Sequence, residues 1–350
     1  MLSIFFFFLI FLLSPSTSFA VHSITISPST PLRLSSLAWD PIRKHFIMGS
    51  SDGPTVFTVS DVGMVERILS NTSGEFVASI AVDHVRHRLI VAFSNSSSVA
   101  AYDMKSYHKI CELPLPQLNG CTGGVAVDME NGEVLVSSSG SGIVLKVLLD
   151  GDGSIISEYK INDDHGLGSI VHVNGERPYF LVIQTETGKV FKSRSKDGVV
   201  NEILSRYKLK TLAPSGNAIT LLSGQVVLFA GNRRLLSLAN TKDIDDRVFD
   251  MTLMQPYISI KNPDQFVAVA TQEGKKAYAL VKSPLGYRIE EVEWSAVWQV
   301  YFVAVLLTFD VAVLFVYINE RRKQVAQLKD LGREAEPQSV ELQGKNHQLM

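Results

Sequence analysis

Net charge and cysteine are the two things this sequence has least of. Lys and Arg total 33 against 35 Asp and Glu, a formal net charge of -2 over 350 residues. So even a balance points neither to nucleic acid nor to an acidic surface as partner. There are 2 cysteines, Cys111 and Cys121, with Pro114, Pro116 and Gly120 between them. That spacing is no redox motif, and the pair is expected to form a local, loop-closing disulfide, a staple rather than a reactive site. No long amphipathic helix is legible between residues 21 and 294, which leaves no helical layer for an alternating strand–helix fold.

Hydrophobic residues make up 46% of the chain, more than a wholly soluble domain needs, and the two ends explain the excess. The run Ile4–Leu13 is too short to cross about 30 Å of hydrocarbon and is followed by small residues ending Ser18-Phe19-Ala20. It reads as a secretory signal peptide over residues 1–20, cleaved after Ala20, with an uncleaved anchor as the alternative. The segment Val297–Ile318 is long enough, at 22 residues, to span a bilayer as a helix. Trp294, Trp298 and Tyr301 flank one end and Tyr317 the other, as interfacial aromatics do. Arg321, Arg322 and Lys323 follow the span, and Glu290, Glu291 and Glu293 precede it. Positive charge after the span places the C-terminus in the cytosol, hence a type I, single-pass protein of the secretory pathway or plasma membrane. Residues 21–294 are then luminal or extracellular and 319–350 a polar cytosolic tail, mostly disordered. Asp310, inside the span, either meets a polar group on a partner helix or is carried protonated. The sequons at Asn71 and Asn95 fall in the luminal part, so both are expected glycosylation sites.

Between the ends the chain repeats. An apolar segment recurs at Leu37–Asp40, Ile80–Asp83, Val125–Asp128, Ile170–Val173, Ile219–Leu222 and Ile258–Lys261, at intervals of 43, 45, 45, 49 and 39 residues. Each copy leads into two further strand-like runs, beginning with His45–Ser50 and Thr55–Ser60 in the first unit. Tight-turn residues such as Asp52-Gly53-Pro54 and Thr187-Gly188 separate them. Units of about 45 residues with four strands each predict an all-β, six-bladed β-propeller followed by one transmembrane helix. The sixth unit lacks an evident fourth strand, for which either Ser23–Ser27 or Tyr287–Glu293 is available.

The segments Leu37-Ala38-Trp39-Asp40-Pro41, Ile80-Ala81-Val82-Asp83, Ala101-Tyr102-Asp103, Val125-Ala126-Val127-Asp128 and Val144–Asp150 carry a family likeness. Over residues 30–285 or so the chain resembles the secreted plant branch of the gluconolactonase-like, calcium-dependent phosphotriesterase superfamily. The resemblance implies a divalent cation at the mouth of the central channel. Glu, Asn and Asp side chains placed just before certain inner strands would hold it. The corresponding positions here are Ser35-Ser36, Gly123-Gly124, Gly168-Ser169 and Asn217-Ala218, with Ser215-Gly216 if the fifth unit slips by two. None is a carboxylate or a His, and a hard cation needs oxygen ligands that include acid. The expectation is therefore a family scaffold with Ser35, Gly123, Gly168 and Asn217 in the ligand places, no metal and no catalytic residue. Calcium or another divalent cation enters only under the alternative, a lactonase or esterase with a rearranged site.

Other motifs carry little chemistry. Gly49-Ser50-Ser51-Asp52-Gly53 matches the nucleophile-elbow pattern but lies between two strands, where no helix follows. Asp150-Gly151-Asp152-Gly153 opens like a calcium loop yet lacks its later ligands, so a β-turn is expected. Asp163-Asp164-His165 is an acid–His run that either binds a ligand or is a solvated loop. Asp40, Asp83 and Asp128 recur with the repeat and are expected to cap turns. The function read from all this is display of a partner-binding propeller on a membrane, with the hydrolase as the competing class.

Overall fold

The computed structural model describes residues 23–26, 32–70, 75–119, 121–161, 165–174, 178–184, 186–194, 200–205, 218–222, 225–230, 234–240, 248–254, 256–257, 265–272, 276–294, 311 and 313–329; between 204 and 266 it describes backbone strands alone. The chain divides into two compact units, one ending at Trp294 and one beginning at Ser295.

In chain order the strands are β1 (Ser23–Ile26), then β2 (Leu34–Asp40), β3 (His45–Ser50), β4 (Thr55–Val59) and β5 (Val65–Ser70). They continue as β6 (Phe76–Asp83), β7 (Arg88–Ser94), β8 (Ser98–Asp103), β9 (Lys109–Pro114), β10 (Thr122–Val127), β11 (Glu133–Ser138), β12 (Ile143–Leu148) and β13 (Ser154–Lys160). Next come β14 (Leu167–Val173), β15 (Tyr179–Gln184), β16 (Val190–Arg194), β17 (Val200–Glu202), β18 (Leu204–Ser205), β19 (Ala218–Leu222), β20 (Gln225–Ala230), β21 (Arg234–Asn240) and β22 (Val248–Met254). The last are β23 (Pro256–Tyr257), β24 (Gln265–Gln272), β25 (Lys276–Ser283) and β26 (Gly286–Trp294).

Four antiparallel sheets follow chain order: β2-β3-β4-β5, β6-β7-β8-β9, β10-β11-β12-β13 and β14-β15-β16-β17. A fifth reads β18-β22-β21-β20-β19, and another joins the two ends of the unit as β1-β26-β25-β24. The first strands of successive sheets are neighbours, which is a propeller arrangement. Middle strands are buried on both faces because sheets stack face to face: Arg88–Ser94 is buried at six of its seven positions. Outer strands alternate, as in Ser154–Lys160, since one face meets solvent. Core clusters accordingly lie between sheets, one joining Ile90, Ala92 and Val99 to Val134, Val136 and Leu145.

The expected inner strands of the first five units fall on β2, β6, β10, β14 and β19. The last unit differs by one strand. Its first strand is β24, where Ile258–Lys261 was expected to serve; residues 258–264 lie outside the described residues. Both expected closers are used, Tyr287–Glu293 inside β26 and Ser23–Ile26 as the outermost strand, with Ile24 opposite Ile289. The shift arises because the outer strand comes from the far end of the chain, leaving three strands to be drawn from residues 265–294.

The recurring aspartates cap turns. Asp40 Oδ1 accepts hydrogen bonds from the Ile42 and Arg43 amides (2.8 and 3.2 Å), Asp83 Oδ1 from Arg86 (3.0 Å), and Asp128 Oδ1 from Glu130 and Asn131 (3.0 and 3.2 Å). Each closes the turn between the first and second strand of its sheet. Gly49–Gly53 spans the end of β3 and the turn into β4. The expected disulfide is absent: Cys111 and Cys121 are free, one buried and one exposed. Cys111 lies on the outer β9, while Cys121 precedes the inner β10 of the next sheet. A 3-10 turn at Pro116–Leu118 and a left-handed Asn119 (φ 50°) carry the chain between them. The sulfurs face different glycines: a Cβ added at Gly153 would come 3.0 Å from Cys111 Sγ, and one at Gly140 would come 3.3 Å from Cys121 Sγ.

In the C-terminal unit residues 311 and 313–329 are helical. Among the described residues no helix is long and apolar enough to cross a membrane. The expected span Val297–Ile318 falls largely outside them, as do Asp310, the expected signal peptide and residues 330–350.

Candidate functional site

A cavity of about 1000 Å³ runs along the inner strands β2, β6, β10, β14 and β24. No Asp, Glu, Lys or Arg lines it among the described residues; its polar side chains are hydroxyls, the Trp39 indole, two histidines and Asn174. At one end it meets the starts of the inner strands, and there the local structure repeats. Between the first and second strands of five sheets the register slips, between Leu34 and Ser36, Val77 and Ser79, Thr122 and Val125, Leu167 and Ile170, and Phe266 and Ala268. Irregular pairing of this kind is common beside binding sites, and β19 lacks it, pairing with β20 in unbroken register. Ser35, Gly123 and Gly168 all lie at these slips and line the cavity. Asn217, Asn71, Asp163 and Asp164 lie outside the described residues. Asn95 is exposed in the turn between β7 and β8, with φ 71°.

The mouth has donors, and most are committed to neighbouring strands, the buried Ser36 hydroxyl being without a partner among the described residues. Ser35 Oγ donates to the Val77 carbonyl (2.7 Å), Thr122 Oγ1 to the Phe93 carbonyl (2.7 Å) and Ser137 Oγ to the Gly168 carbonyl (2.7 Å). Ser79 Oγ accepts from the Val125 amide (3.2 Å), and Ser137 Oγ from the Gly124 amide (2.7 Å). Ser35 ties β2 to β6, Ser79 ties β6 to β10, Thr122 ties β10 to β7 and Ser137 ties β11 to β14. These bonds draw β10 and β14 so close that a Cβ at Gly123 would strike the Leu167 carbonyl oxygen. One at Gly124 would lie 2.7 Å from Gly168 O and 2.9 Å from Ile170 N. The glycines are set by backbone-on-backbone contact, and no side chain, ligating or otherwise, fits there. Among the described residues no group of three or more His, Cys, Asp or Glu is placed to hold a metal.

At the other end lie His84, Met129, His172 and Asn174. His172 is buried, with Nε2 3.8 Å from Asp128 Oδ2. Burial pushes its pKa below the usual 6.5, while Asp128 and Asn174 pull the other way. His45, 3.5 Å from Asp40, is also lowered, chiefly by burial. A depressed folded pKa means the unfolded chain takes up the proton first. Their contribution to stability is therefore complete above pH 6.5 and is lost as pH falls from there through the lowered folded values. Denaturant unfolding is expected to show a lower midpoint at pH 5 than at pH 7.5, and His172→Gln should flatten that difference.

His165 Nδ1 meets Glu186 Oε2 at 2.7 Å with both side chains well exposed, an ordinary surface pair. Asp150 accepts from Arg88, at 2.6 Å, and its carbonyl accepts from the Gly153 amide (3.2 Å), closing a turn. Nothing in the repeat pattern marked Arg88, which is buried and bridges two sheets. Nor did it mark Lys192, whose ammonium sits 4.3 Å from the Tyr179 ring centroid and whose pKa burial lowers to about 8.

No protein-family model and no curated protein sequence matches the chain. Solved structures do. The major allergen Mala s 1 of Malassezia sympodialis superposes with a TM-score of 0.61 at 13% identity, over 78% of this chain and 96% of that one. A streptogramin B lyase gives 0.58 at 10% identity, over 78% and 98%, and virginiamycin B lyase from Staphylococcus aureus 0.52 at 9%, over 78% and 99%. At such identities the likeness shows the fold alone, and by that fold the chain is a β-propeller.

Proposed function

We propose that this chain is a membrane-anchored, six-bladed β-propeller that binds a luminal or extracellular partner and does not run the metal-dependent chemistry of the gluconolactonase-like family it resembles. The observation that carries this is the mouth of the cavity. Where the family would place cation ligands, Gly123 and Gly124 lie against the backbone of β14 with no room for a side chain, and Ser35 is hydrogen-bonded to Val77. Support for six blades comes from β19, a neighbour of both β14 and β24, and from β24 beside β2. Support for the anchor comes from the apolar Val297–Ile318 with its aromatic flanks and the following Arg321-Arg322-Lys323. A type I placement would leave Asn95, exposed at its turn, open to glycosylation.

Two of the similar structures are lyases, and a hydrolase or lyase with a rearranged, metal-assisted site is the competing reading. Thermal unfolding of the protein in the presence of calcium, zinc or manganese separates the two. A native-state ligand at about 100 times its dissociation constant adds about 2.7 kcal/mol. The expected result is no shift with any ion; a clear rise in midpoint with one of them at micromolar concentration overturns the non-metal reading.

A further inference from the structure

The geometry points to one face of the propeller as a lipid-contacting surface: the turns at 40–45, 60–64, 83–88 and 103–109 rest on the phosphate-bearing interface of the bilayer, and the mouth at Ser35 and Gly123 lies at the opposite end. This rests on the anchored reading above.

Strand pairing decides which turns share that face. Asp40 pairs with His45 at the end of β2, and the β4–β5 turn lies at the same end because Val59 pairs with Val65. In the last sheet Ala277 pairs with Val292, so β26 finishes beside the start of β25. The Phe46 and Tyr278 rings, 4.9 Å apart, join that end to the start of β3. The chain therefore leaves the propeller at Trp294 on the same face as the 40–45 turn. Residues 295 and 296, at most about 7 Å of chain, separate it from the first residue of the expected span. A face that close to the point of entry meets lipid before it meets a partner.

Its composition suits that place. Val62, Met64, Val85 and Ile42 stand at the turn tips with 75%, 73%, 54% and 46% exposure. Cations lie among them: Arg43 donates to the Lys105 carbonyl (2.6 Å) and stacks on Tyr107, holding the 40–45 and 103–109 turns together. Lys44 and Lys105 are exposed and pair with no carboxylate among the described residues. Apolar tips between ammonium groups match an interface of acyl chains under phosphates. Three of the turns also bear strain, the 103–109 turn at Tyr107 (φ 56°). Lys44 (φ 57°) and His87 (φ 53°) hold the left-handed position that Gly132 (φ 75°) fills in the third sheet. Such residues persist where function uses them. The surface is bounded: Asp61 is exposed beside Val62, and the equivalent turns of the third sheet carry Glu130, Asp150 and Asp152.

Depth-dependent quenching tests this on the full chain. In a Cys111→Ala, Cys121→Ala background, Val62→Cys, Val85→Cys or Leu285→Cys is labelled with a nitrobenzoxadiazole dye and reconstituted into phosphatidylcholine vesicles bearing doxyl lipid. Leu285, 96% exposed in the β25–β26 turn at the other end, is the control. Labels at 62 and 85 are expected to be quenched about threefold more than the label at 285. Lys44→Glu with Lys105→Glu should reduce the quenching at 85, more strongly when phosphatidylserine is present. Quenching at 62 and 85 no greater than at 285, in protein that stays with the vesicles through an alkaline wash, overturns the lipid-facing surface and leaves the anchor standing. Protein stripped from the vesicles by that wash overturns the anchor, and this inference with it.

Discussion

Replacing Arg88 with Met is expected to destabilise the propeller by about 3–5 kcal/mol, the cost of removing one partner from a buried ion pair. Arg88 is 4% exposed and Asp83 0%. The guanidinium donates to Asp83 Oδ2 from Nη2 (2.8 Å) and Nε (3.3 Å), to the Gly132 carbonyl (3.2 Å), to the Leu149 carbonyl (3.1 Å) and to Asp150 Oδ1 (2.6 Å). Asp83 belongs to the second sheet and the other three acceptors to turns of the third, so one side chain ties two sheets together. Its loss leaves the buried Asp83 carboxylate with Arg86 alone, at 3.7 Å, and frees two turns. Thermal unfolding should fall by roughly 6–15 °C for a domain of this size. Arg88→Met combined with Asp83→Asn should recover part of that fall, because the poorly compensated buried charge is then gone. Arg86→Met, on a half-buried residue whose contact with Asp83 Oδ2 is long (3.7 Å) and whose hydrogen bonds go to the Met129 and Glu130 carbonyls, should cost clearly less. An Arg88→Met protein that unfolds within a degree or two of wild type would remove the inter-sheet bridge from the account.

Restoring an acid to the mouth is expected to be as damaging. Gly124→Asp places a Cβ 2.7 Å from Gly168 O, 2.9 Å from Ile170 N and 3.0 Å from Ser169 Cα. All three are backbone atoms in a paired strand and cannot step aside. Overpacking combined with a buried carboxylate puts the cost above about 4 kcal/mol. Adding calcium should recover none of it. Gly151→Asn is the control, since its site is open space with φ 61°, a conformation Asn tolerates at a cost of about 1 kcal/mol or less. A stable Gly124→Asp protein that gains stability from calcium would show that the mouth can still close around a cation. That result would return the chain to the hydrolase reading.

Arg88 and Gly124 both act through contacts between sheets, which no local stretch of sequence records. The alternation of apolar residues and the spacing of Leu37, Ile80 and Val125 made the first five inner strands legible. Asp40, Asp83 and Asp128 announced their turns, because an Asx cap is a local structure that needs no distant partner. The last unit was misplaced by one strand because β1 pairs with β26 across almost the whole propeller, and local pattern carries no record of that pairing. The expected Cys111–Cys121 disulfide came from sequence spacing, which gives the length of a loop but not the directions of its ends. Glycine at 123 and 124 could be seen as a missing ligand, but not as a filled space.

The sequence alone determined the β character of the propeller, its strand-by-strand periodicity and its capped turns. It also supplied the apolar, aromatic-flanked segment on which the anchored reading stands. These are properties of short windows, where side-chain chemistry and backbone period act directly. Tertiary structure alone decided that Arg88 joins two sheets, that the Ser35, Ser79, Thr122 and Ser137 hydroxyls are spent on neighbouring strands and that Gly123 and Gly124 are pressed against β14. It also decided that Lys44, Lys105, Val62 and Val85 share the face from which the chain departs at Trp294. Each of these depends on how far apart two separately legible strands come to rest, and that distance is set by the packing of whole sheets.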